Sequence, residues 1–189
     1  MITFYSCGKG DSNPNDPGNG GDNDTIELFY DDSIPSGFYY ETNNEMGPGV
    51  QFTLPGLADS YQIIGLKMRL GTTNAGNISF SFRLFTWENN QPDSLLTEIS
   101  VNYGIEDTWN TWDISSENLI MEGNDRFMAG MICDGVNQPS YGFDNYDNYH
   151  SWYYDGLQWT AFNQTIFMRA LILDPAHHEL IELQPVPNY

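Results

Sequence analysis

The sequence is poor in basic residues. Its 189 residues include 6 Lys and Arg against 26 Asp and Glu, which gives a formal net charge of −20 at pH 7. A charge of this sign repels phosphate backbones and anionic lipid headgroups, and so few cations cannot form the basic patch that nucleic-acid binding requires. We therefore expect neither nucleic acid nor an acidic membrane surface as a partner.

Histidine is also scarce, which restricts the chemistry that the chain can support. The 3 histidines are His150, His177 and His178, so a catalytic base has few candidates. Nucleophilic catalysis needs a nucleophile, a base and an orienting group within reach of one another. The sequence contains no Gly-x-Ser-x-Gly elbow, no His-Glu-x-x-His motif, no Cys-x-x-Cys pair and no phosphate-binding loop. We therefore expect that the protein is not an enzyme.

Long apolar runs are absent, and the 2 cysteines are too few for a disulfide framework. No apolar stretch approaches the roughly 18 residues of a membrane-spanning helix, so we expect no transmembrane segment. Cys133 ends the apolar run Phe127–Cys133, where a cysteine usually behaves as a small buried hydrophobe.

Aromatic residues are abundant, at 15% of the chain, and they are accompanied by many turn-forming Gly and Asn residues. From Thr25 to Leu173, short segments of alternating polarity are separated by turn clusters, a rhythm typical of β-sandwiches. In Ile78–Leu84 the even positions are apolar and the odd positions polar, which indicates one core-facing and one solvent-facing side. The runs 128–132 and 166–173 are apolar on both sides, as in strands that are covered twice. The sequence predicts an all-β, antiparallel jelly-roll β-sandwich over residues 25–174.

The two ends of the chain lack this rhythm. Gly8–Asp24 has no large apolar side chain, so we expect residues 1–24 to be an N-terminus followed by a disordered linker. Pro185 and Pro187 oppose a central strand, so residues 175–189 are expected to form an extended tail. Neighbouring side chains of an extended segment point to opposite sides, so His177-His178-Glu179 is a weak metal motif.

The N-terminal segment Phe4-Tyr5-Ser6-Cys7-Gly8 resembles the cleavage and lipidation site of bacterial lipoproteins, because a small residue precedes a cysteine and a polar tether follows it. The bulky Phe4 and Tyr5 depart from that motif. The resemblance implies that Cys7 is acylated and forms a lipid anchor.

A second resemblance extends over about residues 25–173. It is carried by fragments that include Glu27–Asp32, Gly37–Tyr40, Ile63–Met68, Trp109–Ile114, Phe127–Gly130, Ser151–Gly156 and Phe167–Ala170. Together they resemble the jelly-roll modules of secreted and surface proteins of Bacteroidetes-like bacteria, which are similar to carbohydrate-binding and adhesin-type modules. The resemblance implies a non-catalytic module at the outer-membrane surface or outside the cell, whose partner is a carbohydrate or, alternatively, a surface protein bound by a structural or adhesin-type domain.

The aromatic side chains are the candidate ligand contacts. Sugars stack their C–H faces on flat rings and exchange hydrogen bonds with neighbouring polar groups. The candidates are Trp109, Trp112, Tyr146, Tyr149, Trp152 and Trp159. The alternative is that these rings fill the core or pack at its edge, and alternation places Trp152 and Tyr154 on the same side of a strand.

The segment Asp144–His150 is a candidate calcium loop. It offers four oxygen-bearing side chains within five positions, and calcium prefers six to eight oxygen ligands. Asp144 and Asp147 are the candidate ligands, with Asp31 or Asp32 as a further one, and the ion would have a structural role. The alternative is a solvated turn.

Overall fold

A computed structural model of the chain describes residues 4–7, 25–31, 34–39, 45–73, 78–133, 139–146 and 149–174, with the first of these segments described in its backbone only. The described residues form two antiparallel sheets of nine and six strands. The all-β class and the sandwich arrangement expected from the sequence are confirmed. Among these residues, the helical structure is a single 3-10 turn at Ser115–Glu117. No helix in the described part of the chain is both long and apolar enough to cross a membrane.

In the described part of the chain, fifteen strands make up the two sheets. They are β1 Phe4–Cys7, β2 Thr25–Phe29, β3 Gly37–Tyr39, β4 Gly47–Thr53, β5 Ser60–Thr73, β6 Phe80–Glu88, β7 Gln91–Val101, β8 Trp109–Asp113, β9 Leu119–Glu122, β10 Arg126–Cys133, β11 Pro139–Asp144, β12 Ser151–Tyr154, β13 Trp159–Ala161, β14 Thr165–Ile166 and β15 Met168–Leu173. The nine-stranded sheet has the order β1-β2-β15-β5-β11-β14, with β3 beside β11 and with β8 and β9 beside β5. The six-stranded sheet has the order β13-β12-β4-β10-β6-β7.

The core lies between the two sheets. Trp112 of the nine-stranded sheet contacts Phe80 and Phe82 of the six-stranded sheet, at ring-centroid distances of 5.6 and 5.1 Å. Cys133 is buried there as expected, at 1% exposure. The alternating pattern of β6 places Phe80, Phe82 and Leu84 in this core. Because the strands alternate, the opposite side chains of β6, β4, β10 and β12 face outward from the sandwich.

The turn between β6 and β7 is tight. It consists of Asn89 and Asn90, both with positive φ, and β7 begins at Gln91. Asparagine adopts this left-handed conformation more readily than other non-glycine residues, so a two-residue hairpin forms. Pro92 is accommodated because β7 is the edge strand of its sheet.

Candidate functional site

Five aromatic side chains cover the outer face of the six-stranded sheet. We call Phe85, Trp87, Trp152, Tyr154 and Trp159 the aromatic layer. Ring centroids lie 5.1 Å apart for Tyr154 and Trp159, 5.9 Å for Phe85 and Trp159, and 5.0 Å for Trp87 and Trp152. Each of these residues is half-buried, so the layer keeps accessible ring surface.

Two adjacent glycines form the floor under this layer. Gly49 of β4 pairs with Gly130 of β10, and on its other side with Trp152 of β12. A Cβ atom at Gly49 would come within 2.9 Å of the Trp159 ring, and one at Gly130 within 2.5 Å. The absence of side chains at these two positions therefore allows the Trp159 indole to lie directly against the sheet backbone.

The aromatic layer explains why β10 is apolar on both sides. Phe127 and Ala129 point into the core, whereas Met128 and Ile132 alternate with them and point outward. These outward side chains are nevertheless only 0% and 2% exposed. The aromatic layer thus shields a second, thin apolar surface on the outside of the sheet.

A groove of about 290 Å³ opens beside the layer. Its lining consists of the apolar residues Phe85, Pro92, Leu95, Ile132, Tyr154 and Trp159 and the charged residues Arg83, Asp93 and Glu98. A bulge in the pairing of β6 with β7 places Leu95 opposite Phe85. Small-molecule sites commonly combine mostly apolar walls with a few fixed polar groups in this way.

A second groove of about 260 Å³ adjoins the first and shares Arg83, Glu98 and Ile132 with it. Its other lining residues are richer in hydroxyl and amide groups, and they include Ser79, Ser81, Ser100 and Asn102. The two grooves together offer ring faces at one end and hydrogen-bonding groups at the other.

Arg83 is fixed between two carboxylates at the junction of the grooves. Its guanidinium lies 2.9 Å from Glu45 Oε2 and 3.2 Å from Glu98 Oε1, and the Ser81 hydroxyl donates a hydrogen bond to the same Glu98 oxygen. Burial lowers the pKa of Arg83, but the hydrogen bonds and charges of Glu45 and Glu98 outweigh it, so that this pKa is raised. Arg83 is therefore a permanent cation whose charge is already compensated.

The structure brings two of the six predicted aromatic residues, Trp152 and Trp159, into the aromatic layer. Trp112 lies in the core at 2% exposure, and its indole nitrogen donates a hydrogen bond to the Tyr103 carbonyl at 3.3 Å. This position corrects the choice of Trp112 as a ligand contact and agrees with the alternative of core packing, because β8 turns that side chain toward the opposite sheet.

The other three candidates lie away from the layer or in a loop. Trp109 belongs to the nine-stranded sheet, where its ring lies 4.1 Å from the Arg169 guanidinium carbon. Tyr146 and Tyr149 are exposed in the loop after β11, and the Tyr146 hydroxyl contacts the Tyr30 carbonyl at 3.5 Å. The involvement of Tyr146 and Tyr149 in ligand binding stays a prediction, whereas Trp109 lies on the sheet opposite the aromatic layer.

Phe85, Trp87 and Arg83 were not among the candidate residues predicted from the sequence. A signal was present, because Phe85 and Trp87 occupy odd positions in β6, on the same side as Ser81 and Arg83. Large aromatic residues on a side that otherwise reads as solvent-facing indicate an exposed ring surface.

The acidic candidates have different surroundings. Asp144 is 3% exposed; its Oδ1 accepts hydrogen bonds from the Ser36 backbone N–H and hydroxyl at 2.9 and 2.6 Å, and its Oδ2 has no partner among the described residues. Asp31 pairs instead with Arg169, which corrects its assignment as a calcium ligand. Asp32 and Asp147 lie outside the described residues. Within the described part, no group of three or more His, Cys, Asp or Glu residues is placed to hold a metal ion.

Most residues in the predictions for the N-terminal and C-terminal segments lie outside the described residues. The backbone of Cys7 belongs to β1 and pairs with Ile26, while its side chain lies outside the described residues, so its acylation stays a prediction. The linker from Gly8 to Asp24, the motif His177-His178-Glu179 and the rest of the tail also lie outside them.

The comparisons with known proteins show a similarity of fold and no family. No family model matches the chain, and no curated protein does. Among the solved structures that are similar, one matches with a TM-score of 0.50 and 10% sequence identity over 79% of this chain. It is the crystal structure of the cysteine protease and lectin-like domains of Cwp84, a surface layer associated protein of Clostridium difficile. The present chain spans 33% of that structure's length, and at this identity the likeness shows the fold alone.

Proposed function

We propose that the protein is a non-catalytic carbohydrate-binding module of the cell surface or the extracellular space, and that the groove beside the aromatic layer binds the sugar. The observation that carries this proposal is the Trp159 indole, which lies on the glycine floor and faces the groove with part of its ring accessible. A flat ring held in this way is suited to stack on the C–H face of a sugar, while Asp93, Glu98 and the nearby serines exchange hydrogen bonds with hydroxyl groups.

The likeness to a structure that contains a lectin-like domain of a surface layer associated protein supports both the binding role and the location. The surroundings of the described histidine and cysteine support a non-catalytic role. His150 is buried, its ring stacks on Tyr30 at a centroid distance of 3.8 Å, and its Nδ1 lies 3.0 Å from Gln51 Oε1. Cys133 is buried in the core. Both residues are thus at most 8% exposed.

Replacement of Trp159 by alanine is expected to weaken sugar binding at least tenfold, which corresponds to about 1.4 kcal/mol. The stacking surface is lost, and a buried aromatic anchor commonly dominates a binding site. Isothermal titration calorimetry with the best neutral oligosaccharide from a glycan array measures this change. The matched control is Trp109→Ala, which removes a tryptophan from the other sheet and should leave the affinity within about twofold, since twofold is below 0.5 kcal/mol.

Unchanged affinity in Trp159→Ala would contradict the groove as the binding site. If the array shows no glycan binding and the purified domain instead binds a surface protein, the alternative role as a structural or adhesin-type interaction domain replaces this proposal. The intrinsic fluorescence of the chain gives a second readout, since a sugar over Trp159 changes the polarity around its ring.

We further propose that calcium, when bound, stabilises the fold through Asp144 and takes no part in chemistry. The enclosed Oδ2 of Asp144, which has no partner among the described residues, supports this proposal, because a buried carboxylate oxygen without a partner is costly and a cation would relieve that cost.

Calcium at about a hundred times its dissociation constant is expected to stabilise the protein by roughly 2.7 kcal/mol and to raise its Tm by several degrees. Magnesium at equal ionic strength should do less, because it gives up its water less readily. Thermal melting with each ion tests this, and Asp144→Asn should remove the calcium-specific part. Equal shifts with both ions, or a calcium-specific shift that survives in Asp144→Asn, would refute the assignment.

A further inference from the structure

We propose that the groove selects uncharged glycans and rejects carboxylated and sulfated ones, an inference that rests on the proposed function. It follows from the charges around the junction of the two grooves. Three carboxylates, those of Glu45, Asp93 and Glu98, line these grooves, and Arg83 is the cation placed among them.

Arg83 is not available to an anionic ligand without a cost. It lies 2.9 Å from Glu45 and 3.2 Å from Glu98, and its side chain is only 21% exposed. A sugar carboxylate or sulfate that took a guanidinium N–H from either glutamate would leave that glutamate without its cation beside a new negative charge. The net effect of binding an anion there is therefore repulsive.

In the described part of the chain, Arg83 is the only cation that lines either of the two grooves. Arg126, at the end of β10, lines a separate polar hollow together with Asp125 and Trp87. Lys67, Arg69 and Arg169 belong to strands of the other sheet. The net charge of −20 adds a long-range field of the same sign, which repels an approaching anion most strongly at low salt.

An uncharged sugar meets none of these penalties. Its hydroxyl groups can donate to the outward lone pairs of Asp93, Glu98 and Glu45, and hydrogen bonds to charged acceptors are stronger than those between neutral groups. The same carboxylates that repel a uronic acid therefore favour a neutral oligosaccharide, and their charge gives selectivity instead of raw affinity.

The test compares gluco-, galacto- and manno-oligosaccharides with the corresponding oligomers whose C6 is oxidised to a carboxylate. We expect the best neutral oligomer to bind at least tenfold more tightly than its carboxylated counterpart. The difference should shrink as ionic strength rises from about 0.01 M to 0.15 M, where the Debye length falls from about 30 to 8 Å.

The decisive variant is Glu45→Gln combined with Glu98→Gln, which frees Arg83 and removes two negative charges. Its affinity for the carboxylated oligomer should rise at least tenfold, while its affinity for the neutral oligomer should not rise, because two charged hydrogen-bond acceptors are replaced by weaker neutral ones. The matched control is Asp59→Asn with Glu122→Gln, which changes the net charge equally at two exposed positions near β9. That control should leave the preference for neutral sugars intact.

The outcomes separate this inference from the proposed function. If the wild-type protein binds carboxylated oligomers as tightly as neutral ones, and Trp159→Ala abolishes both, the groove is the binding site but the selectivity is wrong. If the glutamine variant gains no more than the control, the role of Arg83 and its two glutamates is wrong. If no oligomer of either kind binds to the wild type, the proposed function itself fails and this inference fails with it.

Discussion

Replacement of Arg169 by alanine should lower the free energy of unfolding by about 3–5 kcal/mol, the cost of leaving a buried charge without its partner. The partner is Asp31, whose side chain has 0% exposure, and Arg169 Nε lies 3.0 Å from Asp31 Oδ2. A second ion pair joins Arg169 to Glu27 at 2.7 Å. Alanine would remove the cation and leave the Asp31 carboxylate enclosed and uncompensated.

The surroundings of Arg169 add to the expected loss. Its guanidinium carbon lies 4.1 Å from the Trp109 ring centroid and 4.8 Å from that of Phe29, so two cation–π contacts disappear together with the ion pairs. Urea unfolding followed by far-UV circular dichroism measures the change. The matched control is Arg126→Ala at an exposed position, which should stay within about 0.5 kcal/mol of the wild type. Similar losses in the two variants would refute the buried pair as a major contribution.

The pH dependence gives an independent check on the same cluster. Burial raises the pKa of Glu27, but the hydrogen bonds and charges of Arg169 and Lys67 outweigh it and hold this pKa below its ordinary value of 4.5. A carboxylate with a lowered pKa stabilises the fold above that ordinary value, and its contribution is lost as the pH falls through the lower folded-state pKa. The stability difference between wild type and Arg169→Ala should therefore narrow as the pH falls below 4.5.

Alternation of polarity predicted most strands because side chains of a strand face two sides in turn. It did not predict β13, since the three residues of that strand, Trp159–Ala161, cannot display a period. It also could not predict the ion pair between Arg169 and Asp31, which are far apart in the sequence and meet only through the pairing of β15 with β2.

The composition of the aromatic layer could likewise not be predicted from alternation of polarity. The run 128–132 correctly indicated a strand covered on both sides, yet the sequence did not identify the cover. The cover comes from Phe85, Trp87, Trp152, Tyr154 and Trp159, which belong to β6, β12 and β13 and meet only in the folded sheet. Composition thus indicated that rings are available, while topology decides which of them share a face.

The two tryptophans Trp112 and Trp159 illustrate this decision. Both are flanked by polar residues in the sequence, and each belongs to a short strand. Trp112 is turned toward the opposite sheet and is 2% exposed, whereas Trp159 lies on the outer face over two glycines. Substitution by alanine should therefore affect stability at the first position and binding at the second.

Replacement of Trp112 by alanine is expected to lower the free energy of unfolding by about 3–5 kcal/mol, the range for deleting a large aromatic side chain from a packed core. Its ring packs edge-on against Phe80 and Phe82, at 5.6 and 5.1 Å, and links the two sheets. The cavity left behind would separate these contacts, and the Tyr103 carbonyl would lose the indole N–H that donates to it at 3.3 Å. Urea unfolding measures the loss, and near-UV circular dichroism reports the packing of the remaining rings.

Two further variants keep this prediction testable if Trp112→Ala does not fold. Trp112→Phe retains an aromatic ring between the sheets and should lose clearly less stability than alanine, because it leaves a smaller cavity. Trp159→Ala removes a ring of the same type from the half-exposed outer face and should also lose less, since part of that ring is already in contact with water. If Trp159→Ala and Trp112→Phe each lowered the free energy of unfolding by about 3 kcal/mol, the outer aromatic layer would be as important for folding as the core. Such a result would overturn the division between a tryptophan that stabilises the sandwich and one that is available to a ligand.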